Sequence, residues 1–292
     1  MIYCIDTEFL EGPQKESFPI SLFRKQTPNT IDLISIGIVA EDGREFYAIS
    51  KDFNLKEAWN RFDLEMQSGD MRNVFPEGRK IYWLRENVLK PIWRELFINY
   101  ELTNDIYSNK ASDILVKNVE LGSYDHYFSF KSLKSLLELY GKTNKEIASE
   151  IKAFVYQDSM NSVSGNSSLG KNDYTPTNIN EIEFYAYYAD YDWVVFCWLF
   201  GKMIDLPKGF PMYCRDLKQM LDDKSISLLD TDIMKFSFEL QDFKAVKSGN
   251  YLDYISAIKN HKDYPKQDPS KSHNAIEDAR WNKQLFDFLL KL

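Results

Sequence analysis

The chain has 292 residues, a net charge of −8 and three cysteines, with 44% hydrophobic and 27% charged residues; a chain of this length buries about three quarters of its unfolded surface, so a sizeable core is within reach. The acidic balance does not favour a broad duplex-gripping surface, which normally shows a basic footprint, and leaves open an enzyme that holds a few terminal nucleotides through metals. Three cysteines that pair in no C-x-x-C motif exclude a disulfide framework and, with three scattered histidines, a zinc module; no apolar run approaches a membrane span or a secretory leader, so a cytoplasmic protein without a membrane partner is expected.

Ile2–Phe9 alternates and is rich in β-formers, which predicts a strand. Gly12–Thr30, with three prolines, predicts an extended connection. Ile31–Ala40 is nearly continuously apolar, as for a strand covered on both faces. Glu41-Asp42-Gly43 is a turn signal, and Arg44–Ser50 a third strand, so the three form an antiparallel unit. Arg79–Phe97 has helical spacing at Ile81, Leu84, Val88 and Ile92, with Pro91 as a kink. Phe130–Tyr140 is a short amphipathic helix ended by Gly141, and Thr143–Glu146 has the form of a capping box opening the next helix.

Tyr156–Asn180 is polar and reads as a long loop. Within it, Gly165–Asn172 nearly matches a phosphate-binding P-loop, but Asn172 stands where a Ser or Thr would meet Mg²⁺ and no apolar strand precedes it. Glu181–Tyr188 is expected to be a strand, Asp192–Phe200 a helix closed by Gly201, Phe210–Cys214 a short strand, Arg215–Leu221 the start of a helix and Ala275–Leu290 a final helix. Strands in a run followed by strands alternating with helices indicate an α/β fold with a mixed sheet, the early strands antiparallel and the later ones parallel.

Asp6 and Glu8 lie two apart on the first strand, so alternation puts both on one face. Buried carboxylates need compensation, which divalent cations would supply; a half-exposed strand with two solvated acids is the other reading of this pair alone. His273 stands five residues before Asp278 at the start of the last helix. Asp190 and Asp192 both lie near a strand-to-helix junction, one free to ligate and the other to cap the helix, and spacing alone does not choose between them.

The strings IDTEFLE (5–11), IDLISIGIVAEDGREFYAIS (31–50), YYADYDWVVFCWLFG (187–201), PMYCRDLKQMLD (211–222) and SHNAIEDARWN (272–282) together resemble the DEDDh 3′–5′ exonucleases, nearest to the ribonuclease AS and ribonuclease T-like group. The resemblance implies a ribonuclease H-like fold: a mixed sheet of three antiparallel strands plus parallel ones, flanked by helices, with added segments at about 12–30, part of 54–140 and 156–180. It implies one exonuclease domain over residues 1–292. It also implies Asp6, Glu8, Asp192 and Asp278 as ligands of two divalent cations, Mg²⁺ or Mn²⁺, with His273 as general base. Phe9 would lie against the terminal base, a core position being the other reading. The expected partner is the 3′ end of a single-stranded nucleic acid, RNA with adenosine preferred, and a homodimer is expected. A DNA exonuclease of the same superfamily and a catalytically silent binding module are the competing functions.

Overall fold

The computed structural model describes residues 1–16, 19–65, 79–104, 124–161, 182–230 and 251–292. In chain order the elements are β1 (Ile2–Gly12), β2 (Thr30–Ala40), β3 (Glu45–Ile49), α1 (Leu55–Asn60), β4 (Asp63–Glu65), β5 (Arg79–Ile81), α2 (Lys90–Asn104), α3 (Phe130–Tyr140), α4 (Asn144–Asn161), β6 (Glu183–Ala186), α5 (Asp190–Phe200), β7 (Arg215–Asp216), α6 (Leu217–Asp230), α7 (Tyr251–Lys259) and α8 (Ala275–Leu289). No described helix is long and apolar enough to cross a membrane.

Five strands form one mixed sheet in the order β3-β2-β1-β6-β7, flanked by helices. Ala40 N–H donates to Arg44 O and Ser50 N–H to Ile34 O, both at 2.8 Å. The paired positions move apart in opposite directions from the Gly43 turn, so β2 and β3 are antiparallel. β6 pairs in parallel with β1, Cys4 opposite Tyr185, and with β7, Ala186 opposite Asp216. The α/β class, the three early strands and the later parallel ones agree with the sequence pattern.

The chain divides into two compact units, and β1, β2 and β3 run from one into the other. The first unit comprises Met1–Thr7, Ile36–Tyr47 and Ala148–Leu292. Here alternation sends neighbouring residues of β1 and β6 to opposite faces. Tyr3 stacks on Phe184 at 5.3 Å, and Phe184 lies 5.1 Å from Phe196 and 5.6 Å from Phe210. On the other face Cys4 and Tyr185 join Leu217 and Leu221 of α6, Ile258 of α7 and Leu285, Phe286 and Leu289 of α8 in one buried cluster. Both faces are therefore covered, as the unbroken apolar strands require.

α8 is fixed tightly against the strands. A Cβ on Gly37 of β2 would lie 2.2 Å from Ala275 O and 2.5 Å from Ile276 Cα, so only glycine admits the helix start. Buried Asn282 donates from Nδ2 to Ile5 O at 2.8 Å, and Arg280 holds Glu45 through Nε and Nη2 at 2.8 and 2.5 Å.

The second unit comprises Glu8–Ser35 and Ala48–Ile147. Asn54 caps α1 by accepting from Glu57 N–H at 3.1 Å, and Asn54 Nδ2 donates to Gln14 Oε1 at 3.0 Å. Trp93 Nε1 of α2 donates to Ser132 Oγ of α3 at 2.8 Å. The capping box at the start of α4 is formed: Thr143 N–H donates to Glu146 Oε2 at 2.7 Å and Glu146 N–H to Thr143 Oγ1 at 3.2 Å.

Three expected elements are displaced. Arg79–Ile81 is not helical but pairs antiparallel with Asp63–Glu65. A helical run instead begins at Trp83 and continues to Asn104, with a π turn over Arg85–Leu89 immediately ahead of Pro91, where the regular hydrogen-bond ladder is interrupted. The strand expected over Phe210–Cys214 is instead the two residues Arg215–Asp216, because Phe210 turns into the aromatic core with its N–H on Pro207 O at 3.0 Å. The start of the loop expected from Tyr156 is helical, since α4 continues to Asn161. Most of that loop, with Gly165–Asn172, lies outside the described residues.

Candidate active site

Asp6 and Glu8 are half-buried on β1 and flank buried Thr7. Alternation places both on the face of β1 that carries Cys4, the face α8 covers. Thr7 points to the opposite face, toward α5.

α5 brings Asp192 to Thr7. Asp192 is only 6% exposed, and its Oδ1 accepts from Thr7 N–H at 2.8 Å and Thr7 Oγ1–H at 2.6 Å. Burial raises the Asp192 carboxyl to about 6; the two Thr7 bonds pull it down and the negative Asp216 adds to the rise. Exposed Asp190 does not cap the helix: Ala189 occupies the cap position, and Asp190 is the first helical residue. Of the two aspartates near this junction, Asp192 is thus the one turned to β1.

α8 supplies the other carboxylate through its N-terminal architecture. Asn274 is the N-cap, its Oδ1 accepting from Ile276 N–H at 3.2 Å and Glu277 N–H at 3.5 Å. His273, just before the cap, has a left-handed backbone with φ of 64°. Its N–H donates to Asp278 Oδ2 at 2.9 Å, and Gln267 Nε2 donates to Asp278 Oδ1. Asp278 is buried, which raises its carboxyl, while Gln267 and His273 oppose the rise. A cavity of about 160 Å³ adjoins it, lined by Gln267, Asp278 and Trp281 with Lys266, Lys271 and Arg280.

Ligand atoms of Glu8, His273 and Asp278 all lie within 4.8 Å of one another, close enough to hold one metal ion. Asp6 and Asp192 stand outside that group. Phe9 follows Glu8 and is half-buried. Two further residues act on the carboxylates: Thr7 grips Asp192 and Gln267 grips Asp278. Thr7 is hidden as the middle residue of D-x-E, where its only visible signal is alternation to the other face. Gln267 lies in a polar, lysine-containing stretch that reads as solvated loop and carries no signal.

The donor set fits a divalent cation. Asp192 and Asp278 are both buried, and their hydrogen-bond donors are neutral amides and a hydroxyl. Buried carboxylates so placed gain from a directly bound cation, and hard oxygen donors suit Mg²⁺ or Mn²⁺.

No protein-family model matches the chain. It is similar to two 3′-5′ exoribonucleases of Mycobacterium tuberculosis, one from strain CDC 1551 and one from strain H37Rv, each 24% identical over 224 residues, spanning 77% of this chain and 76% of the relative.

Proposed function

We propose that the chain is a metal-dependent 3′–5′ exoribonuclease releasing mononucleotides from single-stranded RNA, with adenosine the preferred base. The observation that carries this is the convergence of Glu8, His273 and Asp278 within 4.8 Å, in a chain similar to two proteins named 3′-5′ exoribonucleases. Asp6, Glu8, Asp192 and Asp278 would hold two divalent cations. Bound there, the cations would acidify water and neutralise charge on the scissile phosphate.

The rest falls to the chain. His273 accepts the proton of the attacking water at its imidazole, a role typically worth about 10²–10⁴ in rate. Thr7 and Gln267 keep Asp192 and Asp278 oriented, as outer hydrogen bonds do at metal sites. His273 is tied to Asp278 through its own amide, so base and ligand keep a fixed relation. In this reading the whole chain works as one exonuclease domain, a cytoplasmic homodimer.

The deciding experiment digests poly(A), poly(U) and single-stranded DNA in Mg²⁺, with EDTA controls. Mononucleotides released fastest from poly(A), and none in EDTA, are expected. Asp6→Ala and Asp278→Ala should abolish release and leave the circular dichroism spectrum intact. Near wild-type turnover by either variant would overturn the site.

A further inference from the structure

Two non-glycine residues have positive φ among the described residues, His273 and Tyr188, the latter at 59°. A bulky aromatic in this region is a genuine outlier, and such strain is kept where the surroundings enforce it, often at ligand clamps. For Tyr188 burial of the ring is not the compensation, since the residue is 63% exposed.

Its backbone is pinned from below. Tyr188 N–H donates to Asp216 Oδ1 at 3.3 Å, and the same oxygen accepts from Lys218 N–H at 2.6 Å. The ring rests perpendicular to Tyr187, centroids 4.7 Å apart, and Tyr187 rests in turn on Trp281 at 5.2 Å. Trp281 is anchored by its Nε1–H on Pro265 O at 3.1 Å. It stands three residues after Asp278, so the two share a helix face, and both line the cavity beside that carboxylate. Tyr188 also precedes Asp192 by four residues. Parallel pairing of Cys4 with Tyr185 carries β1 and β6 forward together, so Tyr187 and Tyr188 emerge where Asp6 does. A strained, pinned and largely exposed ring thus stands at the sheet end where Asp6 emerges, joined through Tyr187 to Trp281 on the helix that carries Asp278.

We propose that Tyr188 is a stacking platform for a base at the 3′ end of single-stranded RNA. The inference rests on the nuclease reading for the identity of its ligand. A stacked base suits the position because every nucleobase offers a π face, so one ring can serve each successive terminal residue as the strand shortens.

The test uses the full chain carrying Asp278→Asn, to suppress turnover, in Mg²⁺. Binding of a fluorescent ten-nucleotide oligo(A) is compared with that of the same strand lacking its last two bases. Tyr188→Asn removes the ring while keeping a residue that tolerates the left-handed backbone. It should weaken oligo(A) binding about 5- to 150-fold, the usual worth of one base on an aromatic ring. Binding of the abasic strand should change less than about twofold, and Tyr188→Phe should bind both strands as the parent does. Unchanged oligo(A) binding by Tyr188→Asn overturns the platform. So does equal weakening toward both strands, or a parent that binds neither. Mononucleotide release by the wild-type chain is measured separately. A chain that releases none, yet binds oligo(A) through the Tyr188 ring, would sink the nuclease reading and keep the platform.

Discussion

The main-chain amide of His273 donates to Asp278 Oδ2 at 2.9 Å while His273 itself holds a left-handed backbone. The five-residue spacing of the two therefore has a structural cause: a carboxylate in the first turn of α8 reaches back to the residue before the cap. Glycine accepts positive φ without strain. His273→Gly should then preserve this bond and remove only the imidazole. We expect turnover to fall about 10²–10⁴-fold, with the thermal midpoint unchanged or raised. Single-turnover kinetics and calorimetry on the same variant check both halves. A large loss of stability would show that the imidazole is a packing element.

Thr7 is the equivalent hold on Asp192. Thr7→Val keeps the shape and the backbone N–H bond but deletes the 2.6 Å hydroxyl bond. Loss of a bond to a buried charged group costs about 1.5–3 kcal/mol. Disturbing an outer hydrogen bond of a metal ligand typically weakens metal affinity about 10–100-fold. Thr7→Ser should restore both. Urea unfolding and Mn²⁺ titration followed by electron paramagnetic resonance measure them without recourse to activity. Mn²⁺ affinity unchanged in Thr7→Val would remove Thr7 from the site.

Much of this architecture is legible in the residues. β1, β2 and β3 show in alternation and apolar runs, α3 in its spacing and closing glycine, and α4 in its Thr143–Glu146 box. Asp6 and Glu8 share a face by alternation, but that pair alone also fits solvated acids and the spacing of His273 and Asp278 alone is weak; it is the resemblance to the DEDDh exonucleases that singles the four out. What escapes is set by contacts remote in sequence. Gln267 meets Asp278 only because the loop before α8 folds back over it. Tyr188 escapes because a left-handed backbone is ordinarily marked by glycine or asparagine, and a tyrosine carries no such mark. Arg79–Ile81 carries helical periodicity, yet pairing with Asp63–Glu65 claims it, as tertiary partners override local preference.

The raised Asp192 carboxyl gives a pH signature in the metal-free chain. An unfolded aspartate ionises near 3.9, whereas Asp192 in the fold ionises at about 6. Below about 4 both states are protonated and the group contributes nothing to the balance. Between about 4 and 6 the unfolded chain ionises first, so stability falls as pH rises, and above 6 the penalty is complete, on the order of 3 kcal/mol. Asp278, raised by the same cause, adds in the same direction. Urea midpoints in EDTA from pH 4 to 7 should decline in the wild type and decline less in Asp192→Asn. Identical slopes would refute the burial argument.

Asp125 behaves in the opposite sense. Arg94 grips it through Nε and Nη2 at 2.8 and 2.6 Å, Lys90 lies 3.0 Å away, and the carboxyl is held down at about 2. A depressed carboxyl adds stability that is fully present above the unfolded value near 3.9 and is lost as pH falls toward 2. The pair is partly exposed, so Asp125→Asn should cost only about 1 kcal/mol at pH 7. Most of that cost should be gone by pH 2, and denaturant melts at the two pH values measure the difference. An equal cost at both would mean that shape rather than charge holds Asp125.

Gly37 tests whether the site depends on how closely α8 approaches β2. An added Cβ there meets Ala275 O at 2.2 Å and Ile276 Cα at 2.5 Å, and both contacts are backbone, so no side chain can swing aside. Gly37→Ala must push the start of α8 off the strand. Overpacking of this kind typically costs about 1–3 kcal/mol. Its effect on function should be larger than its effect on stability, because Ala275 is two residues from His273 and three from Asp278. A shift of about 1 Å at such a distance can cost on the order of 100-fold in rate. Gly37→Ala should therefore remain folded at 25 °C, lose nucleotide release and lose Mn²⁺ affinity together. The Asn282 bond to Ile5 O and the Arg280 grip on Glu45 lie further along α8 and should keep the helix docked. A variant that is destabilised but turns over at the wild-type rate would show that the approach of α8 serves packing alone.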